Sequence, residues 1–195
     1  MGSGVLRAVF FDAFGTLLDA EGLHLRATEE ILSRLGIRGL DAGEIHEAWD
    51  RRAELRWGRG NFMPIRELFG VALAEVLADR GFELGRDDLS EAIAILVETF
   101  REGARPYGDS LEVLSFCREL GLKTGVISDA DSEVLRHALT EHGLMDYLDV
   151  VVISDEVGCL KPDEGIFRAA LSEAGCGPGE ALMVGDAARD VVGAR

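Results

Sequence analysis

The hydrophobic pattern changes in kind along the chain. Val5 to Phe11 form a short run, mostly apolar and rich in Val and Phe, which is typical of a buried parallel strand. From about Leu23 to Gly103 the apolar positions instead recur about every 3.6 residues, which predicts helices, most clearly from Ile65 to Leu77 after Pro64. Further stripes predict three more helices in this stretch, at 31–36, 45–57 and 89–100.

Strands and helices alternate after Pro106. Three apolar runs predict strands, at Lys123 to Ser128, Asp149 to Ile153 and Ala181 to Val184. Helical stripes lie between these runs, and such alternation favours an open parallel sheet covered by helices. We therefore predict an α/β fold with a Rossmann-like, three-layer core formed by residues 1–16 and 106–195. Residues 17–105 are then an inserted all-helical domain.

Composition and charge narrow the classes of partner. The 195 residues are 47% hydrophobic and 29% charged, the ordinary balance of a soluble globular protein. The formal net charge of −16 disfavours nucleic acid and anionic membrane surfaces as partners, because both are negatively charged. Lysine is rare, with only Lys123 and Lys161 in the sequence, so the position of each one is informative.

The cysteines and the N-terminus indicate a reducing, cytoplasmic setting. The three cysteines form no C-x-x-C pair, so neither a disulfide framework nor a cysteine zinc site is expected, and Cys117 falls on the apolar stripe of a helix. The opening MGSGVLRAVFFDAFG has too short an apolar stretch for a signal peptide. Leu6 stands where a myristoylation pattern needs Ser or Thr.

Polar residues suited to catalysis follow each predicted strand. In an open α/β sheet, ligands bind outside the carboxyl ends of the strands. Any one of these residues alone would be interpreted as a helix cap or a turn residue, but their recurrence at successive strand ends predicts one site. They are Asp12 with Gly15 and Thr16, Ser128 with Asp129, Lys161, and Asp186 with Asp190.

Four segments resemble, in order, the signature motifs of the haloacid dehalogenase superfamily. The resemblance covers residues 5–19 and about 106–195, and the helical insertion stands where that family carries its helical cap. The four together are specific, whereas each alone would be weak. They are FFDAFGTLLD, VISDA, CLKPDEGIF and VGDAARD.

The resemblance implies hydrolysis through a covalent intermediate. Asp12 would attack the substrate, and water would then release the product. The 13–16 turn, with Gly15 and Thr16, and the Ser128 hydroxyl would hold the transferred group. Lys161 would neutralise the negative charge that develops on Asp12 and the substrate.

The same resemblance implies a magnesium site. Asp186 would hold Mg²⁺ together with Asp12 and the backbone carbonyl of Phe14, a set of hard oxygen ligands. Asp190 would orient Lys161 or a water bound to the metal.

The first motif departs from the phosphatases of that superfamily. They carry a second Asp, the general acid, two residues after the nucleophile, where this chain has Phe14. D-A-aromatic-G-T is instead similar to the 2-haloacid dehalogenase branch, which uses no metal and expels a halide that needs no proton. Arg51 lies in WDRRAELRW, loosely similar to the arginine-bearing segment of those enzymes; it could also be a solvated helix charge.

The last motif instead resembles that of the phosphatase branch. Gly185 and Asp186, followed by Asp190, match the metal-binding version, and Asp129 adds a carboxylate where Asn commonly follows the motif serine. We therefore predict a Mg²⁺-dependent phosphatase acting on a small, anionic phosphate ester. Metal-independent dehalogenation of a 2-haloacid is the alternative, and a catalytically weak binding or regulatory protein is a second. The sequence leaves a monomer and a homodimer equally open.

Overall fold

Four parallel strands form the central sheet of the structure, a computed structural model that describes residues 5–57 and 61–195. Residues 1–4, on which the expectations about a leader and lipidation partly rest, lie outside the described residues. The strands are β1 (Ala8–Phe11), β4 (Lys123–Ser128), β5 (Val150–Ile153) and β6 (Ala181–Val184), ordered β5-β4-β1-β6. The predicted parallel α/β sheet is confirmed.

The chain divides into two compact units. The first comprises residues 1–19 and 104–195 and contains the parallel sheet, and the second comprises residues 20–103. In the first unit the helices are α5 (Ser110–Glu119), α6 (Ser132–Glu141), α7 (Ser154–Val157), α8 (Glu164–Ala174) and α9 (Ala188–Gly193). In the second they are α1 (Leu23–Arg34), α2 (Ala42–Arg56), α3 (Ile65–Ala78) and α4 (Arg86–Gly103).

Aspartate side chains cap the N-terminal ends of several of these helices. The Asp131 carboxylate accepts the backbone N–H groups of Glu133 and Val134 at the start of α6. Asp41 does the same for α2 and Asp163 for α8. An N-cap acceptor satisfies backbone donors that have no partner within the helix, so the sequence sets where the helix begins.

Apolar side chains on the faces of the sheet form the core of the first unit. One cluster joins Phe10 of β1, Ile127 of β4 and Val152 of β5 to Ile166 and Phe167 of α8. Cys117 of α5 is also buried, as its helical stripe predicted. This packing fixes the strands side by side, and the carboxyl ends of β1, β4 and β6 therefore open at one edge of the sheet.

The pattern missed short elements. A two-stranded antiparallel ribbon pairs β2 (Leu18–Asp19) with β3 (Arg105–Pro106), and two-residue strands are too short to show a hydrophobic period. The predicted first strand is also too long, because Val5 and Leu6 are exposed and the strand begins at Ala8. Among the described residues, no helix is long and apolar enough to cross a membrane.

Candidate active site

Asp12 follows β1 directly and is almost fully buried. Its Oδ1 accepts the backbone N–H of Ala13 at 2.7 Å and lies 2.9 Å from Nζ of Lys161. Burial raises the pKa of the Asp12 carboxyl, and the Lys161 ammonium opposes that rise. Both close contacts use Oδ1, which leaves Oδ2 as the oxygen available to a substrate.

Lys161 is fully buried before the start of α8. Its Nζ donates to Asp190 Oδ1 at 2.6 Å and to the Ile127 carbonyl at 3.2 Å, besides contacting Asp12. These three partners match the three hydrogen-bond donors of an ammonium. The side chain is therefore held in one position between two carboxylates.

Asp186 is exposed and comes two residues after β6. Its Oδ1 accepts the Thr16 hydroxyl at 3.4 Å. Gly15 has a φ of +84°, and a Cβ there would lie only 2.6 Å from Asp186 Oδ2. Only glycine therefore lets the turn after β1 approach this carboxylate so closely.

Asp190 lies in the first turn of α9 and is buried. One of its oxygens contacts Lys161, and the other accepts the Ala187 N–H at 3.0 Å, which fixes the start of the helix. A Cβ at Gly185 would overlap the Asp190 carboxyl group. Both glycines of this site thus make room for a carboxylate.

Asp129 and Ser128 stand at the end of β4, where both side chains are buried. Asp129 Oδ1 accepts the Lys161 backbone N–H at 2.9 Å, and Oδ2 lies 3.7 Å from Nε of Arg189. Burial raises the pKa of Asp129 from 3.8 to about 6, although both of these cationic residues lower it. Arg189 is the residue that the sequence analysis missed, because nothing in its spacing pairs it with Asp129.

A comparison with known proteins decides the family. A sequence profile described as haloacid dehalogenase-like hydrolase matches residues 6–195. The chain belongs to the haloacid dehalogenase-like hydrolase family. The resemblance carried by its four motifs is thereby confirmed.

Relatives of this hydrolase include both dehalogenases and phosphatases. The (S)-2-haloacid dehalogenase 1 of Pseudomonas sp. strain CBS-3 is 30% identical over 193 residues, which cover 97% of this chain and 80% of that protein. The phosphoserine phosphatase of Thermus thermophilus is 30% identical over 216 residues, covering 97% and 85%. A solved structure of a dehalogenase with an intermediate complex has a TM-score of 0.75 at 27% identity, covering 98% and 81%.

The charges of this hydrolase's site fit a hard divalent cation. One oxygen from each of Asp12, Asp186 and Asp190 lies within 4.8 Å of the other two. The Lys161 ammonium contacts Asp12 and Asp190. Three carboxylates against one ammonium leave an excess of negative charge when all are ionised. Carboxylate oxygens are the ligands that Mg²⁺ prefers, and exposed Asp186 leaves the group accessible.

Two further residues that the sequence analysis assigned to the site are Phe14 and Arg51. Phe14 is half-buried in the turn after β1, where its backbone pairs with Leu18, and its side chain holds no titratable proton. Arg51 is exposed on α2 and forms an ion pair with Glu47 at 3.4 Å, one helical turn away. Arg51 belongs to the helical unit, whereas Asp12, Asp186 and Lys161 all belong to the first unit.

Proposed function

We propose that this hydrolase is a cytoplasmic, Mg²⁺-dependent phosphatase that acts on a small phosphate ester through a covalent intermediate on Asp12. The observation that carries the proposal is the close group of Asp12, Asp186 and Asp190, of which Asp12 and Asp190 contact the Lys161 ammonium. A metal-free dehalogenase has no need of the exposed Asp186, since a negative charge there repels an anionic substrate.

The proposed metal ligands are Asp12, Asp186 and the backbone carbonyl of Phe14. Bound Mg²⁺ would supply the positive charge that brings a phosphate group next to these carboxylates. The remaining residues act on the substrate itself. Gly15, Thr16 and Ser128 would hold the phosphoryl oxygens, with Asp129 next to Ser128 at the end of β4.

The chemistry proceeds in two displacements. An oxygen of Asp12 attacks phosphorus, and the bond from phosphorus to the leaving oxygen breaks with its electron pair. Because Phe14 cannot donate a proton, the leaving oxygen departs as an anion or takes a proton from water. Water then attacks phosphorus and loses a proton to the released phosphate or to solvent. The bond from phosphorus to the Asp12 oxygen breaks with its electron pair, which frees inorganic phosphate and regenerates the Asp12 carboxylate. Lys161, held by Asp190, neutralises charge on Asp12 throughout.

Dehalogenation of a 2-haloacid is the second candidate, and Phe14 is the observation that favours it. Asp12 would attack C2, the carbon–halogen bond would break, and the halide would leave with the bonding pair. Water would then hydrolyse the ester to a 2-hydroxyacid. A halide needs no proton, so an aromatic residue at position 14 would cost this reaction nothing. Arg51 would bind the substrate carboxylate in this case.

A hydrolysis screen separates these candidates. Phosphate esters and 2-haloacids are each assayed with Mg²⁺ and with chelator, following inorganic phosphate or halide. We expect phosphate release that chelator abolishes and Mg²⁺ restores. Halide release at full rate in chelator would establish the second candidate instead, and no turnover of either class would favour a binding or regulatory role.

Three variants tie that result to the site. Asp12→Asn should abolish phosphate release, and Asp186→Asn should remove its dependence on Mg²⁺ together with most of the rate. Asp87→Asn, on the exposed first turn of α4, is the control because it removes the same charge away from the site. Turnover in Asp12→Asn above roughly a hundredth of the wild-type rate would contradict the role of Asp12.

A further inference from the structure

A second group of metal-ligating side chains lies within the helical unit. His24 is in the first turn of α1, and His46 and Asp50 are one turn apart on α2. Residues four apart on a helix project from the same face. One ligand atom from each of the three lies within 4.8 Å of the other two.

The Asp50 carboxylate joins the two imidazoles. Its Oδ1 lies 2.6 Å from Nδ1 of His24, and its Oδ2 lies 3.2 Å from Nε2 of His46. The two rings meet edge to face, with centroids 5.0 Å apart. Two nitrogens and a carboxylate therefore converge from two different helices.

The other ring nitrogen of His24 is a buried polar atom that the protein leaves unsatisfied. Its Nε2 has no hydrogen-bond partner among the residues that the structure describes. Trp49 and Phe69 pack against the ring, with centroids 4.3 and 5.2 Å away. A buried polar atom without a hydrogen-bond partner destabilises the fold, so its presence in a native structure needs a reason. The aromatic packing that buries Nε2 is what directs Nδ1 towards Asp50.

The cluster is also open enough for an ion to enter. The exposed fraction of the side chain rises from 12% at His24 to 27% at His46 and 45% at Asp50. A ligand set with a buried apolar wall on one side and solvent on the other can keep water as a further ligand.

We propose that His24, His46 and Asp50 bind one divalent transition-metal ion of the zinc class, linking α1 to α2. Two imidazoles and one carboxylate, with water in the fourth position, are a common ligand set for Zn²⁺. Mg²⁺ instead prefers oxygen ligands and is the poorer match for this cluster. The ion would stabilise the helical unit by joining two of its helices, because metal binding to the folded state adds to folding stability.

Simple hydrogen bonding is the competing explanation. Asp50 would accept one hydrogen bond from each imidazole and hold both rings without any metal. The two explanations differ in one measurable respect. A hydrogen-bonded trio gives the protein no stoichiometric affinity for zinc.

The test is calorimetric titration of the chelator-treated protein with ZnCl₂, with and without saturating Mg²⁺. We expect one equivalent to bind at this cluster and Mg²⁺ to leave its affinity unchanged. His46→Gln and Asp50→Asn are the test variants, since these two side chains are more exposed than His24 and contribute less to packing. Each should weaken binding by more than the ~10–100-fold that loss of a supporting contact costs.

Two controls locate the ion. His137→Gln removes an exposed histidine on α6 and should bind zinc like the wild type, as should Asp186→Asn.

Co²⁺ should give the visible absorption bands of a site with nitrogen and oxygen ligands, without a thiolate charge-transfer band. Zinc should also raise Tm in the wild type and not in His46→Gln. Unchanged affinity in His46→Gln, or no stoichiometric binding in the wild type, would overturn the proposal.

Discussion

The Lys161 ammonium lies 2.6 Å from Asp190 Oδ1, and neither side chain is more than 1% exposed. Asp12 contacts the same ammonium at 2.9 Å. A buried charge is tolerated only while its partners neutralise it, so these three groups depend on one another for stability as well as for chemistry.

Lys161→Met should therefore destabilise the fold. The substitution keeps an unbranched side chain but leaves two buried carboxylates without their cation, and we expect a loss of about 3–5 kcal/mol in the free energy of unfolding. Denaturant unfolding of the two proteins measures it. Lys123→Met is the matched control: Lys123 is exposed at the start of β4, and its loss should change stability by about 0.5 kcal/mol or less. A loss below 1 kcal/mol for Lys161→Met would contradict the argument.

Gly15→Ala should separate stability from activity. Alanine at a positive φ costs about 1 kcal/mol, and here its Cβ would also displace Asp186. Gly121→Ala is the control, because Gly121 has a φ of +75° with no atom within 4 Å of an added Cβ. Both variants should lose similar stability, and only Gly15→Ala should lose affinity for Mg²⁺ and turnover. Equal activity in the two variants would show that this close approach is dispensable.

Phe14→Asp should supply the missing proton donor. Without one, the rate should depend steeply on the pKa of the leaving group, so that alkyl phosphates are slower than aryl phosphates by the ~10²–10⁴ that a general acid contributes. The comparison is kcat/KM for one ester of each kind. Aspartate should raise the alkyl rate most, whereas Phe14→Leu, which brings no proton, should not. If the wild type treats both esters alike, another group already protonates the leaving oxygen.

Asp129→Asn should change how stability depends on pH. The pKa of Asp129 rises from 3.8 to about 6 on folding, so between these values the folded protein binds a proton that the unfolded chain has lost. Stability therefore falls as pH rises through this window, by about 3 kcal/mol in all for a shift of this size. Asparagine stays neutral and can still accept the Lys161 N–H, and so it avoids the loss.

The measurement is unfolding of both proteins at pH 4 and pH 7 in the presence of chelator. Because other titrating groups are common to the two proteins, the difference between them isolates residue 129. We expect the asparagine variant to gain on the wild type as pH rises. A difference that is constant with pH, or that shrinks, would mean that folding does not raise the pKa of Asp129.

The sequence predicted the sheet of this hydrolase well and its smallest elements poorly. Lys123 to Ser128 and Ala181 to Val184 have the predicted bounds, because each is a short, mostly apolar run between clear turn residues. The first is largely buried, whereas the second lies at the edge of the sheet with Leu182 and Val184 exposed. The ribbon of Leu18–Asp19 and Arg105–Pro106 escaped prediction, since two residues carry no period. Its pairing depends on contacts between distant parts of the chain.

The residues of the two candidate sites were likewise only partly predictable from the sequence. Asp12, Lys161 and Asp190 could be proposed from motifs, and the structure brings them together, although their catalytic roles stay predictions. Asp50 and His24 could not be paired from the sequence. The i,i+4 spacing of His46 and Asp50 was visible, but the third side chain comes from another helix, and only the packing of α1 on α2 places it there.

Because Lys161 is buried, Lys123 is the lysine at which a label can be attached to this protein. Of the two lysines, one is enclosed with its ammonium fully hydrogen-bonded, and the other, Lys123, is exposed at the opposite end of β4 from Ser128. Apart from the α-amino group, an amine-reactive dye would meet one accessible target. Five residue steps along a strand separate it from Ser128 by about 17 Å. A fluorophore attached there would therefore lie away from the end of β4 where Ser128 stands, and would not occupy the candidate site.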